Sequence, residues 1–197
     1  MNQRIRTVLF TVVVTVVFVA PISFVYLLTK PMVRLNEEVF LKTGVLSAAG
    51  IALPSSNAEI VSLFASRVEE VKTAAGEPAF YRVKTEGGGD IAGYVLISSG
   101  PGLWGQITAT IGFDRDRETL TGIAFLSQSE TPGLGARIDE PWFKTQFRGK
   151  RGPFTTVGEG EPAAENQFDA LTGASITSTA VQSILNAAIA RVTRLGN

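Results

Sequence analysis

The sequence has 197 residues, no cysteine and no histidine, and its 18 basic residues balance its 18 acidic residues. Without thiols or imidazoles, iron–sulfur clusters, thiolate zinc sites, haem with its usual ligands and His-dependent nucleophilic catalysis are excluded. A chain of zero net charge also lacks the field that recruits nucleic acid. We therefore predict no metal site and no nucleic-acid partner, and any redox chemistry requires an organic cofactor.

The N-terminal segment 7–29 carries no charged residue. A helix rises about 1.5 Å per residue, so this run is long enough to cross a hydrocarbon layer of about 30 Å. A cleaved signal peptide would need a shorter apolar core and an A-x-A pattern, and neither occurs near Lys30. The flanking charges, Arg4 and Arg6 against Lys30 and Arg34, balance, so only the short N-terminal tail favours a cytoplasmic N-terminus.

The next segment predicts two helices without chemistry. Residues 31–53 mix apolar and charged side chains and begin as a helix, which Pro54 breaks. Ser56 and Glu59 then form a capping-box pattern that opens a second helix through about Lys72. The predicted division is 1–30 for the tail and transmembrane helix, 31–76 for a helical connector and 77–197 for one folded domain.

After Gly76-Glu77-Pro78 the apolar period becomes that of strands. Tight turns are predicted at 86–90 and 114–118, so the strands should be antiparallel. The predicted fold class is α+β, with a single N-terminal transmembrane helix followed by one domain whose antiparallel sheet is flanked by helices. The strands are expected at Phe80–Lys84, Ile91–Ser98, Gln106–Phe113 and Leu120–Ser127.

Two loops of this domain are suited to a flat ligand. In the first, glycines flank Leu103 and Trp104, and an indole held between glycines could form a wall for an isoalloxazine ring, although aromatic residues in such loops are more often core plugs. In the second, Glu130-Thr131-Pro132-Gly133-Leu134-Gly135, the Pro-Gly pair predicts a turn with positive φ at the glycine. This string is also compatible with a plain β-turn.

The stretch 169–178, DALTGASITS, precedes an amphipathic helix with apolar residues at helical spacing. The first turn of a helix has unbonded N–H groups and a positive dipole end, which favour phosphate binding. The alternative is that Ser175, Thr177 and Ser178 are competing N-caps of this helix.

The same stretch resembles the acceptor motif of proteins that carry FMN through a phosphoester, Asp-x-x-(Ser/Thr)-Gly-Ala-(Ser/Thr). With the Gly-Leu-Trp loop and the Glu130–Gly135 string, the whole chain resembles the FMN-binding domain family. This family is shared by the C subunit of the sodium-translocating NADH:quinone oxidoreductase and the G subunit of the Rnf electron-transport complex. The resemblance implies that FMN is attached to Ser175, where the family more often has threonine.

The resemblance also implies the roles of other residues. Asp169 would belong to the sequence read by the flavin transferase that installs FMN. Gln128 stands where the family often has a histidine shortly before the Glu-Thr-Pro-Gly string, so a role for that histidine is not transferred. Residues implied around the cofactor are Thr172, Gly173, Ala174, Ile176, Thr177, Leu103, Trp104, Gly105, Glu130, Thr131, Gly133 and Leu134.

The implied function is that of an electron-transfer subunit and not of a complete enzyme. It would work in a translocating NADH:quinone or ferredoxin:NAD oxidoreductase of the bacterial cytoplasmic membrane, with its domain on the extracytoplasmic side. Its partners would be integral membrane subunits of the complex, the lipid bilayer and the flavin transferase. Two alternatives stay open: a standalone membrane-anchored flavoprotein reductase, and a non-redox membrane-tethered binding domain.

Overall fold

The structure of the full chain is a computed structural model that describes residues 2–72, 78–161 and 164–196. Two compact units divide between Val39 and Phe40. The elements are α1 Gln3–Ala48, α2 Asn57–Arg67, β1 Val68–Lys72, β2 Pro78–Lys84, β3 Ile91–Pro101, β4 Gln106–Asp114, β5 Leu120–Ser127, a 3-10 turn Gly135–Asp139, α3 Pro141–Thr145, β6 Thr155–Val157, β7 Gln167–Asp169, α4 Ser175–Val192 and a 3-10 turn Thr193–Gly196.

Helix α1 forms the first unit and continues into the second. It is 46 residues long, with Pro21 and Pro31 inside it, so the helix predicted after residue 30 is its continuation. The apolar side chains of its first half are exposed, and threonine hydroxyls bond the carbonyl four residues back, as Thr11 does to Thr7 at 2.9 Å. The helix is long and apolar enough to cross a membrane.

Helix α2 is shorter than the sequence predicted, and the expected helix through Lys72 is wrong. The capping pattern holds, since Ser56 Oγ accepts from the Glu59 amide at 3.2 Å, but the helix ends at Arg67. Residues 68–72 instead form strand β1, in which Val68 pairs with Val83 of β2. Pairing with a neighbouring strand therefore overrides the local helical pattern.

The main sheet has five antiparallel strands in the order β1-β2-β3-β4-β5. The four predicted strands and the turns at 86–90 and 114–118 are confirmed, and the α+β fold class with them. The predicted change of period at Gly76-Glu77-Pro78 and the boundary after residue 76 fall at 73–77, outside the described residues. Strands β6 and β7 form a small separate parallel pair.

The two faces of this sheet are covered by different helices. Ser98 of β3 donates to the Ile184 carbonyl of α4 at 3.3 Å, whereas Thr110 of β4 donates to the Gly44 carbonyl of α1 at 3.0 Å. Thr110 pairs with Ile97, the neighbour of Ser98, and successive residues of a strand point to opposite faces. Helix α4 and the end of α1 therefore pack on opposite faces.

Beyond β5, aromatic packing holds the segment that the sequence analysis left without structure. Phe143, Phe147, Phe154 and Phe168 are fully buried, and the rings of Phe147 and Phe168 lie 4.9 Å apart. Buried aromatic side chains contribute large apolar areas at low entropic cost. This cluster fixes α3 and the β6–β7 pair, and it sets the position of the loop that enters α4.

Candidate cofactor site at the start of helix α4

The first turn of α4 has unbonded backbone donors. The helix begins at Ser175, its N-cap position is Ala174, and no side chain caps it. Among the hydrogen bonds of the described residues, none uses the amides of Ser175, Ile176 or Thr177. The N-cap role considered for the hydroxyls is therefore not seen, and the turn has the donors and dipole that bind an anion.

The three hydroxyls at this turn differ in accessibility. Ser178 is buried, and its oxygen accepts from the Leu171 amide at 2.9 Å and donates to the Ala174 carbonyl at 3.1 Å. Thr177 is also buried, whereas Ser175 is exposed. Gly173, with φ +77°, provides the left-handed residue of the turn. Of the three hydroxyls, Ser175 is the one open to a reagent.

Glu130 lies beneath the loops with 5% of its surface exposed. One carboxylate oxygen accepts from the amides of Leu103 and Trp104 at 2.9 and 3.1 Å. The other accepts from the Thr177 hydroxyl. Both oxygens are thus engaged by the protein, and Glu130 ties the Gly-Leu-Trp loop to the first turn of α4. The family resemblance implies that Glu130 lies beside the cofactor, and in the structure its two oxygens make these internal contacts.

The two loops also bond to each other and close on themselves. The indole Nε1 of Trp104 donates to the Thr131 hydroxyl at 3.0 Å. The Gly102 amide donates to the Gly105 carbonyl at 2.7 Å, and the Leu134 amide donates to the Thr131 carbonyl at 3.1 Å. Gly133 has φ +75°, so the positive φ predicted after Pro132 is present. Both loops are held as defined turns around Glu130.

Four large apolar side chains of this site face solvent. Their exposed fractions are 50% for Leu103, 69% for Trp104, 44% for Leu134 and 58% for Ile176. Burying them would remove apolar area from water, which is favourable by about 25 cal/mol per Å². Ile176 also lines a groove of about 390 Å³ with Ser175. Apolar side chains beside unbonded amides fit a flat aromatic group that carries a phosphate.

The acceptor turn has a support that the sequence analysis missed. Glu159 accepts from the Thr172 amide at 2.8 Å and pairs with Arg137 at 2.7 Å. The hydrogen bond from the Arg137 side chain, followed by that from Thr172, lowers the pKa of Glu159 to about 2. No motif connects Arg137 with Glu159, because they come from separate loops and meet only in the folded chain.

Two further predicted residues lie at the edge of this arrangement. Asp169, at the end of β7, accepts from the Gly160 amide at 3.0 Å, and its recognition by a flavin transferase stays a prediction. Gln128 donates to Asp139 at 2.9 Å and accepts from the Glu130 amide at 2.7 Å. Gln128 therefore fixes the backbone that leads into Glu130.

Comparison with known proteins agrees with this arrangement. Residues 102–190 match the FMN-binding domain family. The chain is 29% identical over 203 residues to the C subunit of the Na(+)-translocating NADH-quinone reductase of Pasteurella multocida, covering 78% of this chain and 77% of that protein. It is 32% identical over 143 residues to the protein of the same name from Yersinia pestis, covering 68% and 53%.

A solved structure shows the same fold. The crystal structure of the C subunit of the Na(+)-translocating NADH-quinone reductase from Parabacteroides distasonis aligns with a TM-score of 0.70 at 24% identity, covering 84% of this chain and 95% of that one. The chain thus spans nearly all of that structure, about three quarters of the Pasteurella protein and about half of the Yersinia protein. The matched segment 102–190 contains both loops and the acceptor turn, and this segment belongs to the FMN-binding domain family.

Proposed function

We propose that this chain is the membrane-anchored electron-transfer subunit of a complex of the Na+-translocating NADH-quinone reductase type, and that it carries FMN in a phosphoester with Ser175. The observation that carries the proposal is the state of Ser175. Ser175 is exposed at the start of an 18-residue helix whose first amides are unbonded, and exposed apolar side chains lie beside it at Ile176 and on the two loops that Glu130 ties to this turn. An ester phosphate at this oxygen would lie against those amides.

Different residues of the chain would hold different parts of the cofactor. The Ser175 oxygen would form the ester, and the amides of the first turn would bind the phosphate oxygens. Trp104, Leu134 and Ile176 would pack against the ring and exclude water from it. Glu130 ties the Gly-Leu-Trp loop to the first turn of α4, which would keep the backbone around a bound flavin fixed. When bound, FMN supplies electron transfer in steps of one or two electrons, and the chain supplies position and potential.

The membrane placement and the partners are part of the proposal. Helix α1 has the length and composition of a membrane span. The proposed location is the bacterial cytoplasmic membrane, with the FMN domain on the extracytoplasmic side and integral membrane subunits as neighbours. On an aqueous face a covalent tether prevents loss of the flavin by dilution. A flavin transferase that reads the segment from Asp169 to Ser175 would install it.

The test is intact-mass measurement after co-expression with a flavin transferase. The wild-type chain should gain the mass of one FMN less one water, and Ser175→Thr should gain it as well. Ser175→Ala should remain bare, whereas the control Thr179→Ala, an exposed hydroxyl one turn later on α4, should be modified. A bare wild-type peptide, or in-gel flavin fluorescence retained by Ser175→Ala, would overturn the assignment.

The assembly is tested separately from the attachment. A tagged full-length chain extracted gently from membranes should co-purify with hydrophobic integral subunits. Recovery of a flavin-bearing chain alone would support a standalone membrane reductase, and a colourless chain with partners would support a non-redox tethered domain. The first of these two results would contradict the proposed complex, and the second would contradict the proposed cofactor.

A further inference from the structure

A cavity of the folded domain lies along the outer edge of strand β5. It has a volume of about 650 Å³, and the five consecutive residues 124–128 line it. A second cavity of about 180 Å³ continues it past Gly122 and Ile123, and Ser47 and Lys144 line both. Successive side chains of a strand point to opposite faces, so a groove lined by seven consecutive residues runs along the backbone edge.

The pairing of this edge stops abruptly. Strand β5 is the last strand of the sheet, and its beginning is covered because Leu120 exchanges backbone hydrogen bonds with Gly149 and Lys150 at 2.7 and 2.9 Å. Among the described residues, no backbone hydrogen bond joins 121–127 to any element other than β4. The N–H and C=O groups on the outer side of this run are donors and acceptors that a further strand would satisfy.

The wall of the groove formed by α3 and the turn after it carries two basic side chains, whereas the one acidic side chain among the residues that line the two cavities, Asp139, accepts a hydrogen bond from Gln128 at 2.9 Å, so the lining has a net positive charge. Lys144 lines both cavities, and Arg148, one helical turn later, lines the second. Neither forms an ion pair with any residue that the structure describes. The opposite wall is the end of α1, from Phe40 to Ser47. A ligand of this groove should therefore be elongated, bond through its backbone and carry negative charge.

We propose that the edge of β5 from Gly122 to Gln128 is a docking site for an extended segment of a partner polypeptide, which adds a sixth strand and places an acidic side chain at Lys144. Seven residues at about 3.3 Å each give an edge of roughly 23 Å, enough for a segment of about six residues. A lipid chain would leave the backbone groups unbonded, so a peptide is the occupant that the groove fits. The site does not involve the flavin.

The test is photo-crosslinking of the full-length chain in the membranes of the cells that produce it. A photoreactive residue replaces Ser127, and the control replaces Arg115, both exposed. Position 127 should crosslink to an acidic segment of another polypeptide, and amides 121–127 should exchange more slowly in the assembled state than in the purified chain. Crosslinks to lipid alone, to a second copy of this chain, or to nothing would overturn the proposal.

Charge reversal sharpens the result. The double variant Lys144→Glu, Arg148→Glu should lower the crosslink yield about tenfold, because like charges would then oppose each other. The matched double variant Arg115→Glu, Arg194→Glu, at exposed residues outside the groove, should leave the yield unchanged. Ser175→Ala should also keep the crosslink, so failure of the flavin assignment and failure of this docking site are distinguishable.

Discussion

Glu130 and Ser175 are two polar side chains that meet the same turn of α4 in opposite states. Glu130 is 5% exposed and both of its carboxylate oxygens accept hydrogen bonds, whereas the Ser175 hydroxyl is exposed and bonds to none of the described residues. The first is committed to the framework, and the second is left for the cofactor. The buried hydrogen bonds of Glu130 hold the loops and the first turn of α4 in place. The Ser175 hydroxyl takes no part in these bonds and can therefore remain exposed for the cofactor.

Glu130→Ala should give the largest loss of stability. It removes the acceptor of the Leu103 and Trp104 amides and of the Thr177 hydroxyl, and buried donors without partners are costly. The expected loss is about 3 kcal/mol in the free energy of unfolding, measured by urea denaturation of the domain. Glu165→Ala, at an exposed carboxylate, should change it by less than about 0.5 kcal/mol. Equal effects of the two variants would show that Glu130 is not a structural tie.

Gly135→Ala should disturb the same framework by overpacking. A Cβ there would lie 2.6 Å from the Thr177 hydroxyl oxygen and 2.8 Å from a Glu130 oxygen. Overpacking typically costs about 1–3 kcal/mol, and we expect about 2 kcal/mol with reduced flavin attachment. The control Gly89→Ala meets no atom within 4 Å. A fully attached and equally stable Gly135→Ala variant would contradict the packing described around Glu130.

The sequence predicted the parts of this molecule that depend on local pattern. The strands from Phe80 to Ser127 follow their apolar alternation, and the N-cap at Ser56 follows its capping box. The end of α2 was wrong, because pairing of Val68 with Val83 decides it. The elements between residues 136 and 168 were not predicted from the sequence, since a buried aromatic cluster organises them. The same holds for the site. Its motifs could be predicted from local sequence, but the hydrogen bond that connects them joins Glu130 and Thr177, which are 47 residues apart, and no local pattern predicts it.

Trp104→Ala should affect the cofactor and not the fold. The indole is 69% exposed and makes one side-chain hydrogen bond, to Thr131, so the free energy of unfolding should change by less than about 0.5 kcal/mol. FMN attachment should persist, while the flavin midpoint potential and absorption spectrum shift. Trp142→Phe, at the other tryptophan of the chain, should leave both unchanged. An unaltered potential in Trp104→Ala would place the indole away from the ring.

Glu159 is intermediate between the buried Glu130 and the exposed Ser175. Its side chain is 26% exposed, and it still accepts a hydrogen bond from the Thr172 amide. Its pKa is lowered from 4.5 to about 2, first by the hydrogen bond from Arg137 and then by that from Thr172. A lowered pKa in the folded state means that the stabilisation is complete above about pH 4.5 and is lost as the pH falls toward about 2.

Glu159→Gln lacks this titration. The difference in the free energy of unfolding between wild type and variant should therefore narrow as the pH falls from about 4.5 toward about 2, measured by urea denaturation at successive pH values. Because the Glu159–Arg137 pair is partly exposed and screened by solvent, the change in the free energy of unfolding should be small, well below that expected for Glu130→Ala or Gly135→Ala. The profile of Glu165→Gln should run parallel to that of wild type, and a gap that stays constant for Glu159→Gln would mean that this carboxylate does not hold the acceptor turn.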